Sequence, residues 1–242
     1  MAILGRFRNK QEKEYFLRRE EFIKASEKIV LADAPFLFSS RQLVCELAVR
    51  YELFSMIRDV SGSIVECGVA KGNSLLLFSH LSSIMEPYAI NRRIVGFDTF
   101  AGFRSLGGKA DPKDVNEKDF SDTSDQTILR AIELLDMNRA AGHMKRTEIV
   151  KGDATKTIKK YVKNNPELTI ALLYLDFDLF KPTMAALQHL LPLVCKGGIV
   201  VFDEFNYDKF AGETAACKEM LDVSKIELRR FYFDPFVAYF RV

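Results

Sequence analysis

The sequence predicts an α/β protein with a doubly wound, mainly parallel sheet that is covered by helices on both faces. Short apolar segments of strand length alternate with helical segments from residue 63 onward, and such alternation is typical of parallel sheets. The strand segments are apolar throughout, as expected for strands that are buried on both faces. Each of them runs into an acidic residue, and ligands of such folds bind at the carboxyl ends of the strands.

The elements can be assigned in order along the chain. Two helices come first, over residues 9–28 and 41–60, and the first strand contains Ile64 and Val65. The later elements are strands over residues 93–97, 147–151, 169–175 and 198–202, and helices near residues 73–84, 125–141, 154–164 and 181–193. This order predicts a Rossmann-like sheet.

Two stretches lie outside the alternating pattern. Residues 225–233 and 236–240, joined by Asp234-Pro235, predict a C-terminal antiparallel hairpin that closes the sheet. Residues 102–126 are polar, rich in Gly, Asp and Lys, and nearly without periodicity. A long segment of this kind after a strand end is often a lid, and a plain surface loop is the alternative.

Composition limits the class of protein. The 242 residues with 48% hydrophobic content fit a single domain, with a helical cap over residues 1–60 and a core over 61–242. The 35 basic and 33 acidic residues nearly balance, which argues against nucleic acid as the main partner. The four cysteines lack metal-type spacing, and no apolar run reaches the length of a membrane span. We therefore expect a cytoplasmic protein without a membrane partner, with a homo-oligomer left open.

The turn after the first strand carries the most specific motif. The strand leads into Glu66, Gly68 and Gly72, and Asn73-Ser74 then opens an apolar helix. Glycines let the backbone approach a ligand closely, so the turn predicts a pocket for a nucleotide-type cofactor. A dinucleotide would need Gly-x-Gly-x-x-Gly to place its pyrophosphate on the helix. The spacing Glu-x-Gly-x-x-x-Gly instead suits a cofactor with an ammonium group and no phosphate.

Asp98 and Asp153 follow the second and third strands. Asp98 stands where a carboxylate can accept both hydroxyls of a ribose, and a capping or loop-stabilising role is the alternative. Asp153 stands where it can accept the amino group of an adenine. Because Asp153 precedes the helix that begins with Ala154, it is also a candidate N-cap.

A second acidic group is predicted where the fourth and fifth strands end. Asp176 and Asp178 follow one strand, and Asp203 and Glu204 follow its neighbour. Such charges are costly side by side unless a cation neutralises them, and oxygen ligands without His or Cys favour Mg²⁺ or a similar hard ion. Alternatively, Glu204 only faces solvent and Asp178 caps the helix that begins near Lys181, and for Asp178 this is the role we expect.

These residues resemble class I S-adenosylmethionine-dependent methyltransferases, and more narrowly the macrocin O-methyltransferase family with its deoxysugar 3-O-methyltransferase relatives. The likeness covers about residues 40–220. It is carried by Ile64-Val-Glu-Cys-Gly-Val-Ala-Lys-Gly72, Gly96-Phe-Asp-Thr-Phe-Ala-Gly102, Leu173-Tyr-Leu-Asp-Phe-Asp-Leu179 and Gly197-Gly-Ile-Val-Val-Phe-Asp-Glu204. Two residues depart from the family pattern: Phe177 replaces a usual glycine, and Glu204 replaces the second of two aspartates.

The resemblance implies the class I methyltransferase fold and an O-methyltransferase acting on a sugar hydroxyl, in a nucleotide deoxysugar or a glycosylated metabolite. Glu66 and Gly68 would face the methionine part of S-adenosylmethionine, Asp98 the ribose, and Asp153 with Ala154 the adenine. The whole cofactor-binding set is Glu66, Cys67, Gly68, Gly72, Asn73, Ser74, Asp98, Thr99, Phe100, Asp153, Ala154 and Asp176. A divalent ion such as Mg²⁺ would be held by Asp176, Asp203 and Glu204 and would bind a sugar diol.

The implied chemistry is an in-line displacement in which a sugar hydroxyl attacks the sulfonium methyl group. Positioning and stabilisation of the alkoxide would supply most of the rate. The catalytic candidates are Asp176, Asp178 and Lys181, with the last two as alternative proton acceptors. The three histidines fall on predicted helices or at their edges, so we expect no histidine base.

Three alternatives stay open at this point. A catechol or another small phenol would also bind a metal as a diol. A nicotinamide-dependent oxidoreductase could use a similar sheet, although the third glycine of its motif and a suitably placed Tyr-x-x-x-Lys pair are both missing. A non-catalytic scaffold could keep the same fold.

Overall fold

The computed structural model describes residues 9–242; residues 1–8, at the start of the predicted cap, lie outside them. The chain forms two compact units, one up to residue 46 and one over residues 47–242. The smaller unit contains α1 (Lys10–Ala25) and α2 (Lys28–Asp33), and α3 (Arg41–Met56) crosses the boundary. Asn9 caps α1 because its side chain accepts the backbone N–H of Glu12.

The larger unit is built on a seven-stranded sheet. Its strands are β1 (Ser63–Cys67), β2 (Ile94–Asp98), β3 (Thr147–Lys151), β4 (Ile170–Leu175), β5 (Val194–Phe202), β6 (Arg229–Arg230) and β7 (Ala238–Arg241). Their spatial order is β3-β2-β1-β4-β5-β7-β6. The first five are parallel, whereas β7 runs antiparallel to β5 and to β6. The predicted α/β fold with an antiparallel end is therefore confirmed, although β6 is much shorter than the predicted strand over residues 225–233.

A helix follows each of the five parallel strands. They are α4 (Asn73–Met85), α5 (Asp125–Asn138), α6 (Ala154–Asn164), α7 (Phe180–Leu190) and α8 (Gly212–Met220). The first four match the predicted helices closely. α8 was not predicted, because its nine residues mix small, charged and apolar side chains without a clear helical period. None of the helices within residues 9–242 is both long and apolar enough to cross a membrane.

The register of the sheet aligns the strand ends. Cys67 at the end of β1 pairs with Leu175 at the end of β4, and Leu175 pairs in turn with Phe202 at the end of β5. Successive residues of a strand point to opposite faces, and the buried side chains accordingly form two apolar clusters, with Ile64 in one and Val65 in the other. The residues that follow the strands therefore meet at one edge of the sheet.

The segment between β2 and α5 contains neither helix nor strand. It is attached to the core at several points along its length. Asp111 accepts the backbone N–H of Phe180 at 2.7 Å, and Asp122 pairs with Lys71 at 2.8 Å. The predicted long loop over residues 102–126 is thus present, and these two contacts join it to the start of α7 and to the turn after β1.

Candidate active site at the carboxyl edge of the sheet

The glycine turn between β1 and α4 fits tightly against the end of β4. Gly68 has a φ of 101°, and a Cβ atom at this position would lie 1.8 Å from the carbonyl oxygen of Asp176. Gly72 has a φ of 85° and precedes the first residue of α4. Only glycine fits at position 68, both for its left-handed backbone and for its closeness to the neighbouring turn.

Glu66 is buried in β1, with 1% of its surface exposed. Among residues 9–242, no group donates a hydrogen bond to its Oε2 atom. Burial raises the pKa of the Glu66 carboxyl to about 8, against the opposing effects of Ser74 and Arg50. A cationic partner would stabilise the ionised form of this buried carboxyl group, whose Oε2 atom accepts no hydrogen bond from the described residues.

Asp98 organises the same turn from the end of β2. Its Oδ2 atom accepts the backbone N–H groups of Val69 at 2.8 Å and of Ala70 at 2.9 Å, and its Oδ1 atom accepts that of Phe100 at 2.7 Å. The loop-stabilising role that the sequence left open is therefore real. Each carboxylate oxygen has more than one lone pair, so these bonds leave acceptor capacity for a hydroxyl.

Asp153 is the N-cap of α6. Its Oδ1 atom accepts the backbone N–H and the hydroxyl of Thr155, at 3.0 and 2.7 Å, and the hydroxyl of Ser105 at 3.2 Å. Burial acts to raise the pKa of Asp153, but these hydrogen bonds outweigh it and the pKa is lowered. Asp153 is thus held as a carboxylate beside the first turn of α6, where Ala154 is buried.

The remaining residues of the predicted cofactor set have other surroundings. The Cys67 thiol and the Phe100 ring are buried in the two apolar clusters. Thr99 donates its hydroxyl to the carbonyl of Gly102 at 2.6 Å and stabilises the loop after β2. Asn73 is exposed at the start of α4.

Asp203, at the end of β5, is anchored to two buried residues. Its Oδ1 atom accepts a short hydrogen bond from the Tyr174 hydroxyl and lies 3.3 Å from Nη2 of Arg50. The guanidinium also lies 4.7 Å from the centre of the Tyr174 ring, and its Nε donates to the Ser74 hydroxyl at 3.2 Å. Arg50 therefore connects the first turn of α4 to the acidic residue that follows β5.

Several carboxylates surround Asp176. Burial raises the pKa of Asp176 well above its usual range, and repulsion from Asp203, Asp178 and Glu213 adds to this effect, while Arg50 opposes it. Of the predicted acidic set, Asp203 and Asp178 are thus close enough to act on Asp176. Within the described part of the chain, however, no three His, Cys, Asp or Glu side chains are grouped so that they could hold a metal ion.

Asp178 does not have the capping role that we expected. α7 begins at Phe180 with Leu179 at its N-cap, and the side chain that accepts the Phe180 N–H belongs to Asp111, a residue distant in sequence. Asp178 itself is buried in a left-handed conformation with a φ of 61°. Its backbone N–H donates to Glu213, and this bond accounts for its place in the turn.

The two other residues of this predicted set differ in exposure. Oε2 of Glu204 is buried, so the alternative that this residue only faces solvent is wrong. Lys181 is exposed on the first turn of α7, and its Nζ atom lies 3.4 Å from the carbonyl oxygen of Leu106.

Sequence reasoning missed Arg50 and Glu213. Arg50 left a signal, since it is a charged residue three and four positions before the buried Leu53 and Phe54 on one helical face. Glu213 left none, because the helix that carries it was not predicted.

Comparison with known proteins identifies the family of this chain. The family model for macrocin O-methyltransferases matches residues 55–242. The chain belongs to the macrocin O-methyltransferase family. It is therefore an S-adenosylmethionine-dependent O-methyltransferase, as its motifs implied, and the nicotinamide-dependent alternative is set aside.

Solved structures agree with the family assignment. The calicheamicin methyltransferase CalS11 is 32% identical, covers 97% of this chain and 94% of its own, and has a TM-score of 0.91. The apo form of the same enzyme, described as a TDP-rhamnose 3'-O-methyltransferase, is also 32% identical, covers 97% and 96% of the two chains, and has a TM-score of 0.84. The O-methyltransferase NovP, at 19% identity, with 83% and 78% of the chains covered and a TM-score of 0.63, shares the fold. No curated protein sequence gave a match.

Proposed function

We propose that this enzyme methylates a hydroxyl of a deoxysugar, carried by a nucleotide or by a glycosylated metabolite. The observation that supports the acceptor class is the likeness to CalS11, a TDP-rhamnose 3'-O-methyltransferase, over nearly the whole length of both chains. The acidic side chains at the ends of β4 and β5 are hydrogen-bond acceptors of the kind that hold sugar hydroxyls.

The proposed cofactor pocket is the edge formed by β1, β2 and the start of α6. Glu66 would bind the ammonium group of the methionine part, since no described residue donates a hydrogen bond to its buried Oε2 atom. Asp98 would accept the ribose hydroxyls, and Asp153 with Ala154 would border the adenine. Gly68 and Gly72 would let the backbone approach the cofactor.

The proposed reaction is a single displacement. The acceptor oxygen attacks the methyl carbon as the carbon–sulfur bond breaks, and the sulfur leaves with that electron pair as S-adenosylhomocysteine. The hydroxyl proton passes to a base on the protein. We assign this role to Asp178, because it is buried in the turn after β4, whereas Lys181 is exposed. Asp176 would position the acceptor beside the cofactor.

We also propose that Asp176, Asp203 and Glu204 hold a divalent ion such as Mg²⁺. The donor chemistry fits a hard cation, because the set consists of carboxylates whose mutual repulsion a cation would relieve. Their arrangement fits less well, because the described residues contain no group of three such side chains placed as metal ligands and because Asp203 is already paired with Arg50. When bound, such an ion would favour the ionised form of an acceptor hydroxyl.

The acceptor can be tested with purified protein, S-adenosylmethionine and a panel of TDP-deoxysugars, a glycosylated metabolite and catechol, with methylated products detected by mass spectrometry. We expect methylation of a sugar and none of catechol. Asp176→Asn should abolish transfer, whereas Asp208→Asn, at an exposed position in the loop after β5, should not. Transfer to catechol alone would refute the sugar assignment. Binding of S-adenosylhomocysteine without transfer to any acceptor would favour a scaffold.

The metal can be tested separately by dialysis against EDTA followed by titration with Mg²⁺. We expect transfer to disappear and to return with the ion, while binding of S-adenosylhomocysteine is unaffected. Full activity in excess EDTA would show that the positive charge of Arg50 suffices at this site.

A further inference from the structure

The first turn of α8 accepts hydrogen bonds from the two acidic turns of the site. Oε1 of Glu213 accepts the backbone N–H of Asp178 at 3.1 Å, and Oε2 accepts that of Glu204 at 3.3 Å. The hydroxyl of Thr214 accepts the backbone N–H of Asn206 at 2.8 Å. One carboxylate therefore connects the turn after β4 to the turn after β5, and the next residue holds the second turn at another point.

The burial of Glu213 indicates that these bonds matter. Its side chain has no exposed surface, and a carboxylate is retained in such surroundings only where hydrogen bonds compensate for lost hydration. A Gln or an apolar residue of similar size would fill the same space without this cost. The bonds to two separate turns are what a carboxyl group adds here, because each of its two oxygens accepts a backbone N–H. Burial, with repulsion from Asp178 and Asp203, raises the pKa of this carboxyl well above its usual value.

The turns held by α8 also contain left-handed backbone. Asp178 has a φ of 61° and Asn206 a φ of 57°, in a region that few residues other than glycine adopt and that Asp and Asn tolerate best. Each of these residues donates its backbone N–H to a side chain of α8. Such conformations persist where the surroundings determine them, and they are frequent where side chains must be aimed at a substrate.

Gly212 brings α8 into direct contact with the turn after β4. A Cβ atom at this position would lie 2.6 Å from the carbonyl oxygen of Asp178 and 2.6 Å from the backbone nitrogen of Phe180. The helix start and the turn are therefore packed backbone to backbone. This contact is independent of the hydrogen bonds of Glu213 and fixes the same turn.

We propose that Glu213, supported by Thr214, is a positioning residue for methyl transfer, which holds Asp178 and Glu204 at the separation that the reaction needs. Glu213 is not a catalytic residue, because it acts through the backbone of the two turns. This role rests on the proposed function of the acidic site. In this view α8 aligns the residues that bind the acceptor, whereas the residues that bind the cofactor are positioned by β1 and β2.

Glu213→Gln tests this role. The amide keeps the size of the side chain but has one acceptor oxygen, and its NH₂ group would face an N–H donor. Misplacement of a reacting group by about 1 Å costs on the order of 100-fold in rate, so we expect kcat to fall about 10- to 100-fold. Affinity for S-adenosylhomocysteine should stay within about twofold. Glu219→Gln, the same change at a more exposed position of α8, is the matched control.

A second pair of variants keeps the test decisive if Glu213→Gln does not fold. Thr214→Val has nearly the same shape but no acceptor for Asn206, and we expect kcat to fall a few-fold, as the loss of one hydrogen bond implies. Thr214→Ser keeps the hydroxyl and should rescue most of the loss. Equal activity of the Val and Ser variants would contradict the proposal.

Hydrogen exchange supplies a readout that does not depend on activity. Glu213→Gln should speed amide exchange in residues 176–180 and 203–207 and leave residues 66–74 unchanged. The proposal is wrong if Glu213→Gln has the same kcat per cofactor-binding site as the wild type. It is also wrong if exchange speeds up equally in all three segments, because Glu213 would then be merely structural. If the wild type methylates no acceptor, the proposed function fails, and local exchange still decides whether Glu213 holds the two turns.

Discussion

Gly68 lies against the carbonyl oxygen of Asp176, so closely that a Cβ atom at position 68 would be 1.8 Å from it. This contact joins the turn after β1 to the turn after β4. In the proposed function the first turn carries the cofactor and the second carries the acceptor side chains. The distance between the two substrates would then be set by backbone packing, which varies less than side-chain position.

We expect Gly68→Ala to destabilise the fold severely, because backbone atoms must move to make room for the methyl group. Gly107→Ala is a matched control, since Gly107 also has a positive φ, of 84°, but has nothing within 4 Å of its Cβ position. Both changes introduce backbone strain of about 1 kcal/mol, and only Gly68→Ala adds a steric clash with the backbone of Asp176. Urea unfolding should show Gly68→Ala to be less stable than the control by at least ~2 kcal/mol. Equal stabilities would contradict this contact.

Cofactor affinity should depend on pH through Glu66. The pKa of its carboxyl is raised to about 8 by burial, so binding of an ammonium group must first remove a proton. Calorimetric titration with S-adenosylhomocysteine should therefore show affinity rising with pH from 6 to 8, by up to about tenfold per unit. Glu66→Gln should bind weakly with little pH dependence, and exposed Glu52→Gln should behave as the wild type. A flat profile in the wild type would exclude Glu66 as the ammonium ligand.

The same group should affect the stability of the ligand-free protein. The folded state holds the proton up to a pH of about 8, whereas the unfolded chain loses it near the ordinary value of 4.5. Stability must therefore fall as pH rises between these values, because the folded state binds more protons there. Relative to Glu66→Gln, the wild type should lose on the order of 3 to 5 kcal/mol between pH 4.5 and pH 8.5. If the urea midpoints of the wild type and of Glu66→Gln change in the same way with pH across this range, the raised pKa is contradicted.

Arg50 should not be replaceable by lysine. Its guanidinium simultaneously contacts Ser74, Asp203 and the face of the Tyr174 ring, and a lysine ammonium cannot make all of these contacts. We expect Arg50→Lys to lower the free energy of unfolding by about 2 to 4 kcal/mol. Arg58→Lys, at an exposed position close to α3, should change it by less than about 0.5 kcal/mol. A similar small change for both would show that the buried contacts contribute little.

Asp111 should tie the segment between β2 and α5 to α7. Loss of its carboxylate leaves the N–H of Phe180 without its acceptor, which typically costs about 1 kcal/mol at a helix N-terminus. Asp111→Ala should also make residues 102–124 more sensitive to limited proteolysis than Asp114→Ala, a change at an exposed position of the same segment. Identical cleavage rates would show that the capping bond does not hold the segment.

Much of the fold could be predicted because its elements are long and strongly patterned. The continuous apolar run of β4 and the alternation of strands with helices predicted the parallel sheet, and the glycine turn with Glu66 predicted a pocket for a nucleotide-type cofactor. The acidic residues after β4 and β5 were expected at one edge of the sheet, and the register does pair the ends of these two strands.

The parts that could not be predicted depend on contacts between segments distant in sequence. Asp178 was expected to cap α7 because it stands just before that helix, but a left-handed turn directs its backbone to Glu213, and Asp111 takes the capping place. α8 lacks a helical pattern of its own and is helical where it packs on the turns after β4 and β5. The contacts of α8 with these turns could therefore not be predicted from the sequence.

The sequence by itself determined the order of strands and helices, the family, and the chemical type of the residues at the strand ends, because these follow from local pattern and residue type. Tertiary structure decided how those residues are held. It placed Arg50 between Ser74 and Asp203, and it placed Glu213 where its carboxyl group accepts the backbone N–H groups of Asp178 and Glu204. The physical reason is that hydrogen bonds and burial depend on distances in space, and residues far apart in the chain acquire those distances only on folding.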